Sequence, residues 1–229
     1  HDNKGVQSAT LNLYAKITTP SGKVVQTFEE AISRDIPQSL FAKSLEQSSV
    51  FQKAVPLRPG LYRLDVFVKD VESGNLGVIG TALRVPRFED ASIAASTLIL
   101  ADQIQSVPSN QIGAGPFVFG SYKVRPRLSR EFSASEQMGI FLQLYNLQPD
   151  EALHHSSVIV TYRLLRDAHE VWSATETSDT MRQSGEQVTL NRLVPLSPFA
   201  PGKYTLELSV LDRVSGHSLT RSADFTIKP

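Results

Sequence analysis

Serine, histidine and acidic side chains, the residue types that most often perform catalysis, are present but form no recognisable catalytic motif. No Gly-x-Ser-x-Gly sequence occurs in the chain, so the usual frame of a serine nucleophile is missing. Gly113-Ala114-Gly115 is followed by Pro116 rather than by the lysine and helix of a phosphate-binding loop. The chain has no cysteine, which excludes thiolate metal sites, cysteine nucleophiles and disulfides. We therefore expect a protein that is not an enzyme and needs no cofactor.

Two groups of residues could in principle bind metal ions. His1 would combine an N-terminal amine with an imidazole, which is the start of a copper site. Asp70, Glu72 and Asn75 surround one turn and could offer oxygen ligands to calcium. The plainer interpretation is that His1 is a cut end or a tag remnant, and that Asp followed by Ser-Gly is ordinary turn chemistry. We expect no metal site at these groups or at the other histidines, which are His154, His155, His169 and His217.

A basic segment offers the first candidate binding site. Lys123, Arg125 and Arg127 alternate along the chain, so on a β-strand they form a stripe on one face. Such a stripe could bind an anionic glycan or an acidic protein partner. Alternatively, these charges and Pro126, which cannot donate to a strand ladder, protect an exposed sheet edge.

Aromatic side chains next to the basic segment complete this candidate site. Phe117, Phe119 and Tyr122 are the aromatics that we expect to be exposed, and exposed aromatics are typical of carbohydrate-binding surfaces. Aromatic residues make up only 8% of the chain, and most of the others fall at positions predicted to be buried. The sequence therefore predicts a binding surface that combines these three aromatics with the three basic residues.

The overall composition is that of an ordinary globular protein. The 229 residues include 23 basic and 23 acidic side chains, with 41% hydrophobic and 20% charged residues. Zero net charge argues against a nucleic-acid-binding protein, which usually carries a basic excess. No apolar stretch approaches the roughly 18 residues of a membrane-spanning helix. The remaining class of partner is a protein, a second copy of the chain or a glycan.

The positions of these candidate residues depend on an internal repeat. Pro59-Gly60 begins a segment that alternates through Tyr62, Leu64, Val66 and Val68 to Asp70, and the same pattern recurs 142 positions later. A second match upstream, around Thr19-Pro20-Ser21-Gly22, recurs 147 positions later. Alternation after a Pro-Gly turn predicts a half-buried β-strand. The chain therefore contains two copies of one all-β unit.

We predict two tandem immunoglobulin-like or fibronectin-like β-sandwiches, residues 1–88 and 89–229. Residues 37–47 interrupt the strand pattern and predict a short helix in the first domain. The second domain has additional predicted strands at Thr97–Ala101, Phe117–Phe119, Tyr122–Arg125 and Met138–Tyr145, which the first domain lacks. The first domain is either a smaller sandwich or an incomplete one whose remainder precedes this sequence, and we favour the second.

Several of these segments resemble a known family. The segments are 51–64, 68–75, Ser96–Gln103, Lys123–Arg127 and Gln143–Leu147. They resemble the C-terminal β-sandwich region of large secreted bacterial proteins, common in acidobacteria, that carry a GWxTD domain or a von Willebrand A-type domain. Neither the GWxTD motif nor the Asp-x-Ser-x-Ser signature occurs in this sequence. The resemblance implies an exported protein whose N-terminal domain is absent here, and it implies no activity.

The leading functional hypothesis is a non-enzymatic structural or interaction module that spaces or presents other domains. It would be exported to the periplasm, the cell surface or the extracellular space. One alternative is a module that recognises a glycan or protein ligand. Another is a subunit of an assembly formed through unpaired sheet edges. A hydrolase would need a pocket with convergent polar groups.

Overall fold

The computed structural model describes residues 6–45, 49–88, 92–113, 115–151, 155–178, 181–184 and 187–229. Within these ranges the chain is almost entirely β-structure, as the sequence predicts. It divides into two compact units, which we call unit 1 (His1–Arg87) and unit 2 (Phe88–Pro229). This division lies one residue from the predicted boundary.

Unit 1 contains one antiparallel sheet of four strands in the order β2-β1-β3-β4. A 3-10 turn (Gln38–Leu40) and a short helix, α1 (Phe41–Leu45), follow the second strand in the region where the sequence predicts a helix. In the described part of unit 1, β4 pairs only with β3 and is therefore an edge strand. The strands are β1 (Val6–Thr18), β2 (Val24–Pro37), β3 (Gly60–Asp70) and β4 (Leu76–Val85).

Unit 2 contains a sheet of five strands, in the order β12-β11-β15-β16-β9, and a sheet of seven strands. The seven-stranded sheet has the order β13-β14-β10-β6-β8-β7, with β5 also paired to β10. The strands are β5 (Ala94–Ala95), β6 (Ile99–Ser106), β7 (Val118–Phe119), β8 (Tyr122–Pro126), β9 (Glu131–Ser133), β10 (Gln137–Tyr145), β11 (Val158–Arg166), β12 (His169–Thr177), β13 (Arg182–Ser184), β14 (Gln187–Pro195), β15 (Gly202–Asp212) and β16 (Ser218–Lys228).

The two sheets of unit 2 form a sandwich around one hydrophobic core. Alternate residues of each strand face inward, because successive side chains on a strand point to opposite faces. Burying each such side chain contributes about 1.5–3 kcal/mol of hydrophobic stabilisation. The strand β10 contributes Met138, Ile140, Leu142 and Leu144, and the opposite sheet contributes Val160, Tyr162, Leu164, Leu206, Leu208 and Val210, all almost fully buried.

A second, smaller hydrophobic cluster lies on the other face of the seven-stranded sheet. It consists of Ala101, Tyr122, Val124 and Phe141, which we call the outer cluster. The pairing of β6 with β10 ends at Ala101, and β6 then continues through a register shift to pair with β8. Beyond this shift Ile104 packs over Gly139, where an added Cβ would lie 2.9 Å from the Ile104 Cδ1 atom. The β6–β8 ribbon therefore covers the outer side of β10.

The sheet of unit 1 and the five-stranded sheet of unit 2 repeat the same topology and register. The offsets of 147 and 142 positions found in the sequence relate equivalent residue pairs. The register shift in the first strand also recurs, after Ile17 in unit 1 and after Leu164 in unit 2. Equivalent pairs are Leu13–Val68 with Val160–Val210, and Ala15–Val66 with Tyr162–Leu208.

Candidate functional site

The predicted basic stripe is an ion-pair network in the structure. Lys123 and Arg125 are exposed on one side of β8, and Arg127 follows the strand. Asp102 of β6 accepts a hydrogen bond from Arg125 Nε at 2.6 Å, and its other oxygen lies 3.4 Å from Arg127 Nε. Arg127 Nη2 also donates to Glu136 Oε1 at 2.5 Å. The hydrogen bond with Asp102 raises the pKa of Arg125, and two of the three predicted cations are therefore neutralised.

The three predicted aromatic residues are less exposed than expected. Tyr122 is only 7% exposed and packs against Phe141, with the ring centroids 6.3 Å apart. The expectation that Tyr122 is exposed is wrong, because the outer cluster buries the face of β8 opposite Lys123. Phe119 is half-buried, with its ring centroid 5.8 Å from that of Phe141. Phe117 is also half-buried and has a φ angle of 62°. The rings of Phe119 and Tyr122 pack within the domain and offer little surface to a ligand.

The Asp70 carboxylate accepts hydrogen bonds from groups of its own turn. Asp70 Oδ1 accepts hydrogen bonds from the backbone N–H groups of Glu72 at 2.9 Å and Ser73 at 3.3 Å, and Oδ2 accepts one from Ser73 Oγ at 2.7 Å. The Ser73 hydroxyl and these backbone groups lower the pKa of Asp70. No group of three or more potential metal ligands occurs in the described ranges. Of the five histidines, His1 and His154 lie outside those ranges.

The equivalent turn in unit 2 repeats these contacts around Asp212. Its carboxylate accepts hydrogen bonds from the Val214 N–H at 2.9 Å and from Ser215 Oγ at 2.8 Å. It also accepts one from the Gln148 N–H at 3.3 Å, and it is only 1% exposed. The aspartates are therefore structural in both units.

The described residues also form a concave candidate site that the sequence did not predict. A cleft of about 550 Å³ opens in unit 2 and is lined by residues of both sheets. We call it the Trp172 cleft, because it contains the only tryptophan of the chain. Since its lining comes from five separate segments, no local motif marks it, and the lone tryptophan is the only signal in the sequence. Its lining includes Arg166, Trp172, Arg192, Pro198, Phe199 and Tyr204.

The two arginines of the Trp172 cleft have different roles. The Arg192 guanidinium forms an ion pair with Glu176 and lies over the rings of Tyr162 and Trp172, at 5.3 and 5.5 Å from their centroids. The Arg166 guanidinium lies 5.8 Å from the Tyr204 ring centroid. Its ion-pair contact is a long one, 3.9 Å to the Asp167 carboxylate. Arg192 is thus neutralised within the domain, whereas Arg166 is available to a ligand.

A tyrosine hydrogen bond fixes the wall of the cleft. The Tyr204 hydroxyl donates to the Ala200 carbonyl at 2.7 Å, and the equivalent Tyr62 hydroxyl in unit 1 donates to the Arg58 carbonyl at 2.8 Å. A tyrosine bonded to backbone a few residues upstream is typical of Greek-key sandwiches. In unit 2 this bond holds the loop that carries Phe199 against the cleft.

The edge strand of unit 1 is the second surface with functional potential. On β4, Leu76, Val78 and Ile79 are 62%, 60% and 64% exposed. The equivalent strand of unit 2, β16, is covered along part of its edge by β9, and Lys228 Nζ lies 2.6 Å from Glu131 Oε2 there. The corresponding edge of β4 has no neighbouring strand in the described part of the chain.

The outer faces of the two equivalent sheets also differ. In unit 1 three residues that lie side by side on neighbouring strands are apolar or aromatic, namely Tyr14, Phe67 and Val78. The ring centroids of Tyr14 and Phe67 are 5.9 Å apart. The equivalent row in unit 2 is polar and consists of Thr161, Ser209 and Thr220. The apolar row of unit 1 ends at its uncovered edge strand.

Comparison with protein-family models and with curated proteins finds no match to this chain. No helix in the described ranges is long and apolar enough to cross a membrane. The Trp172 cleft and the β4 edge are therefore the features from which a function can be inferred.

Proposed function

We propose that the protein is a non-enzymatic structural and interaction module of an exported bacterial multidomain protein, and that it associates through the β4 edge of unit 1. The observation that carries this proposal is the exposure of β4, which in the described residues pairs with β3 on one side and has no strand on the other. The resemblance to secreted GWxTD-domain and von Willebrand A-domain proteins supports export. The tyrosine hydrogen bonds and the repeated sheets support an immunoglobulin-like or fibronectin-like assignment for the two units.

The chemistry of β4 fits pairing with another strand. In an antiparallel ladder alternate residues bond to each neighbour, so every second residue of β4 has its N–H and C=O available on the uncovered side. Natural edge strands are usually protected by lysine, proline, bulges or short length. The strand β4 has ten residues, contains no lysine, proline or acidic residue, and carries Arg84 as its one charge. Among the described residues, unit 1 therefore presents an unprotected edge.

We propose that the partner strand is β4 of a second copy of this chain. A two-fold axis brings the same strand against itself in the antiparallel direction and makes the interface self-complementary. With Gly80 on the axis, the two Arg84 side chains are about 26 Å apart at 3.3 Å per residue, so they do not repel each other. In this register Val78 of each copy lies opposite Ala82 of the other, so the exposed valine gains an apolar neighbour across the axis.

Light scattering over a concentration series tests this proposal. We expect the unaltered chain to shift from monomer to dimer as concentration rises. Val78→Lys should remain a monomer, because a lysine on an edge strand disfavours pairing. Thr220→Lys places the same charge at the equivalent position of unit 2 and should dimerise like the unaltered chain. A chain that stays monomeric at every concentration, or a Thr220→Lys variant that loses dimers as Val78→Lys does, contradicts the proposal.

Ligand recognition is the second candidate function, and the Trp172 cleft is the observation that favours it. Aromatic side chains and a cation at a concave site are typical of binding pockets. The predicted surface of Lys123, Arg125, Arg127, Phe117, Phe119 and Tyr122 gives weaker support, because its arginines are paired and its rings are packed.

A further inference from the structure

We propose that the Trp172 cleft binds an apolar ligand that carries one carboxylate, either a free apolar acid or the carboxyl end of an apolar peptide. This site is separate from the β4 edge and would serve a binding function in addition to association. The cleft supplies a cation for the carboxylate, an apolar surface for the rest of the ligand, and a fixed position for the cation.

The charge of the cleft favours an anion. None of the described lining residues is acidic, and two are arginines. Because Arg192 is paired with Glu176, Arg166 provides the uncompensated positive charge. The Arg166 side chain is 39% exposed, and its contact with Asp167 is a 3.9 Å approach to a carboxylate that is itself 90% exposed. Such an exposed pair contributes little, so a ligand carboxylate can replace Asp167 and form a bidentate pair with the guanidinium.

The remaining surface of the cleft favours an apolar body over a sugar. Trp172, Phe199 and Pro198 line the cleft, and the exposed side chains of Val171 and Leu193 complete its rim. The described lining contains no Asn, Gln, Ser or Thr. A glycan with many hydroxyl groups would lose hydrogen bonds to water there without replacing them, which is costly. Hydrocarbon loses nothing of this kind on entering the cleft.

The cation is held in place before a ligand arrives. The Arg166 guanidinium lies over the ring of Tyr204, and the hydroxyl of that tyrosine is bonded to the Ala200 carbonyl at 2.7 Å. Gly202 leaves room for this approach, because an added Cβ there would lie 3.3 Å from Arg166 Nη2. A group already fixed in its binding geometry loses less conformational entropy when a ligand binds.

Tryptophan fluorescence provides a direct test, because the only tryptophan of the chain lies in the cleft. The probes are octanoate, as a free apolar acid, and N-acetyl-leucyl-leucine, as a peptide end, each compared with its amide. We expect an acid to change the emission saturably and its amide to bind about ten- to a hundredfold more weakly. Binding of octanoate alone assigns the free acid, and binding of the peptide alone assigns the chain end.

Two variants separate Arg166 from general charge. Arg166→Gln should weaken binding of the acid about ten- to a hundredfold and leave the affinity for the amide unchanged. Arg213→Gln removes an exposed cation elsewhere in unit 2 and should bind the acid as the unaltered protein does. The proposal is overturned if neither acid changes the fluorescence, or if acid and amide bind equally to the unaltered protein. The comparison of acid with amide needs no variant and stands even if Arg166→Gln fails to fold.

Discussion

Gly139 offers the sharpest test of how the β6–β8 ribbon is held in place. An added Cβ at this position would lie 2.9 Å from Ile104 Cδ1, 3.0 Å from Ile104 Cγ1 and 3.2 Å from the Ala101 carbonyl oxygen. Two of these contacts are shorter than, or at the limit of, what neighbouring heavy atoms accept, and the third involves backbone. We therefore expect Gly139→Ala to push the ribbon away from β10.

The expected magnitude follows from two opposing effects. Overpacking a well-filled site costs typically about 1–3 kcal/mol. Replacing glycine by alanine also restricts the unfolded chain, which returns about 0.4–1 kcal/mol. Taking the middle of each range, we expect Gly139→Ala to lower the free energy of unfolding of unit 2 by about 1 kcal/mol. Ile104→Ala removes the two closest contact atoms and should recover part of this loss when it is combined with Gly139→Ala.

Urea unfolding followed by tryptophan fluorescence measures this effect, because the only tryptophan reports on unit 2. The two single variants and the double variant form a cycle. We expect the double variant to be more stable than the sum of the single effects by at least about 0.5 kcal/mol, since the two side chains are in contact. A Gly139→Ala variant as stable as the unaltered protein, or strictly additive effects, would show that Ile104 and Gly139 are not tightly packed against each other.

Two further predictions concern buried polar groups. Asp212→Ala should lower the free energy of unfolding of unit 2 by about 1.5–3 kcal/mol, because the Gln148 N–H and the turn lose a charged acceptor. The equivalent variant Asp70→Ala should lower the free energy of unfolding of unit 1 by less. Urea unfolding followed by circular dichroism measures both losses, and equal losses would contradict this prediction. Burial raises the pKa of Tyr162 well above its ordinary value of 10.0, so its stabilising contribution is present below pH 10 and is lost as the pH rises above that value. Urea midpoints at rising alkaline pH should fall more steeply for the unaltered chain than for Tyr162→Phe, and parallel curves would count against this assignment.

The repeat was the part of the fold most accessible to sequence. Strand alternation and turn residues together determine register, because a slip by one residue would move every side chain to the wrong face. Leu13 pairs with Val68 in unit 1, and the residues that match them in the sequence repeat, Val160 and Val210, pair with each other in unit 2. The all-β fold and the helix near Phe41 are confirmed, since both follow from local pattern. The two-sheet sandwich is confirmed in unit 2, whereas the described part of unit 1 contains a single sheet.

The candidate sites were less accessible, because they depend on contacts between distant strands. Tyr122 was expected to be exposed, since alternation alone does not reveal that the β6–β8 ribbon buries a second face of the sheet. The pairing of Arg125 with Asp102 depends on the register shift in β6, which no local pattern predicts. The sequence could not show that Trp172 lines a cleft, because the cleft forms only where the loop around Phe199 lies beside it.

The pairing of β9 with β16 has a consequence for how unit 2 folds. Glu131 lies about 95 residues before its partner Thr226, and bringing such distant segments together costs chain entropy before any contact repays it. Contacts of large sequence separation slow folding. The pairing of β9 with β16 cannot form until residues up to Lys228 have been synthesised. Until then the hydrophobic side chains of β10 and β11 are not fully buried.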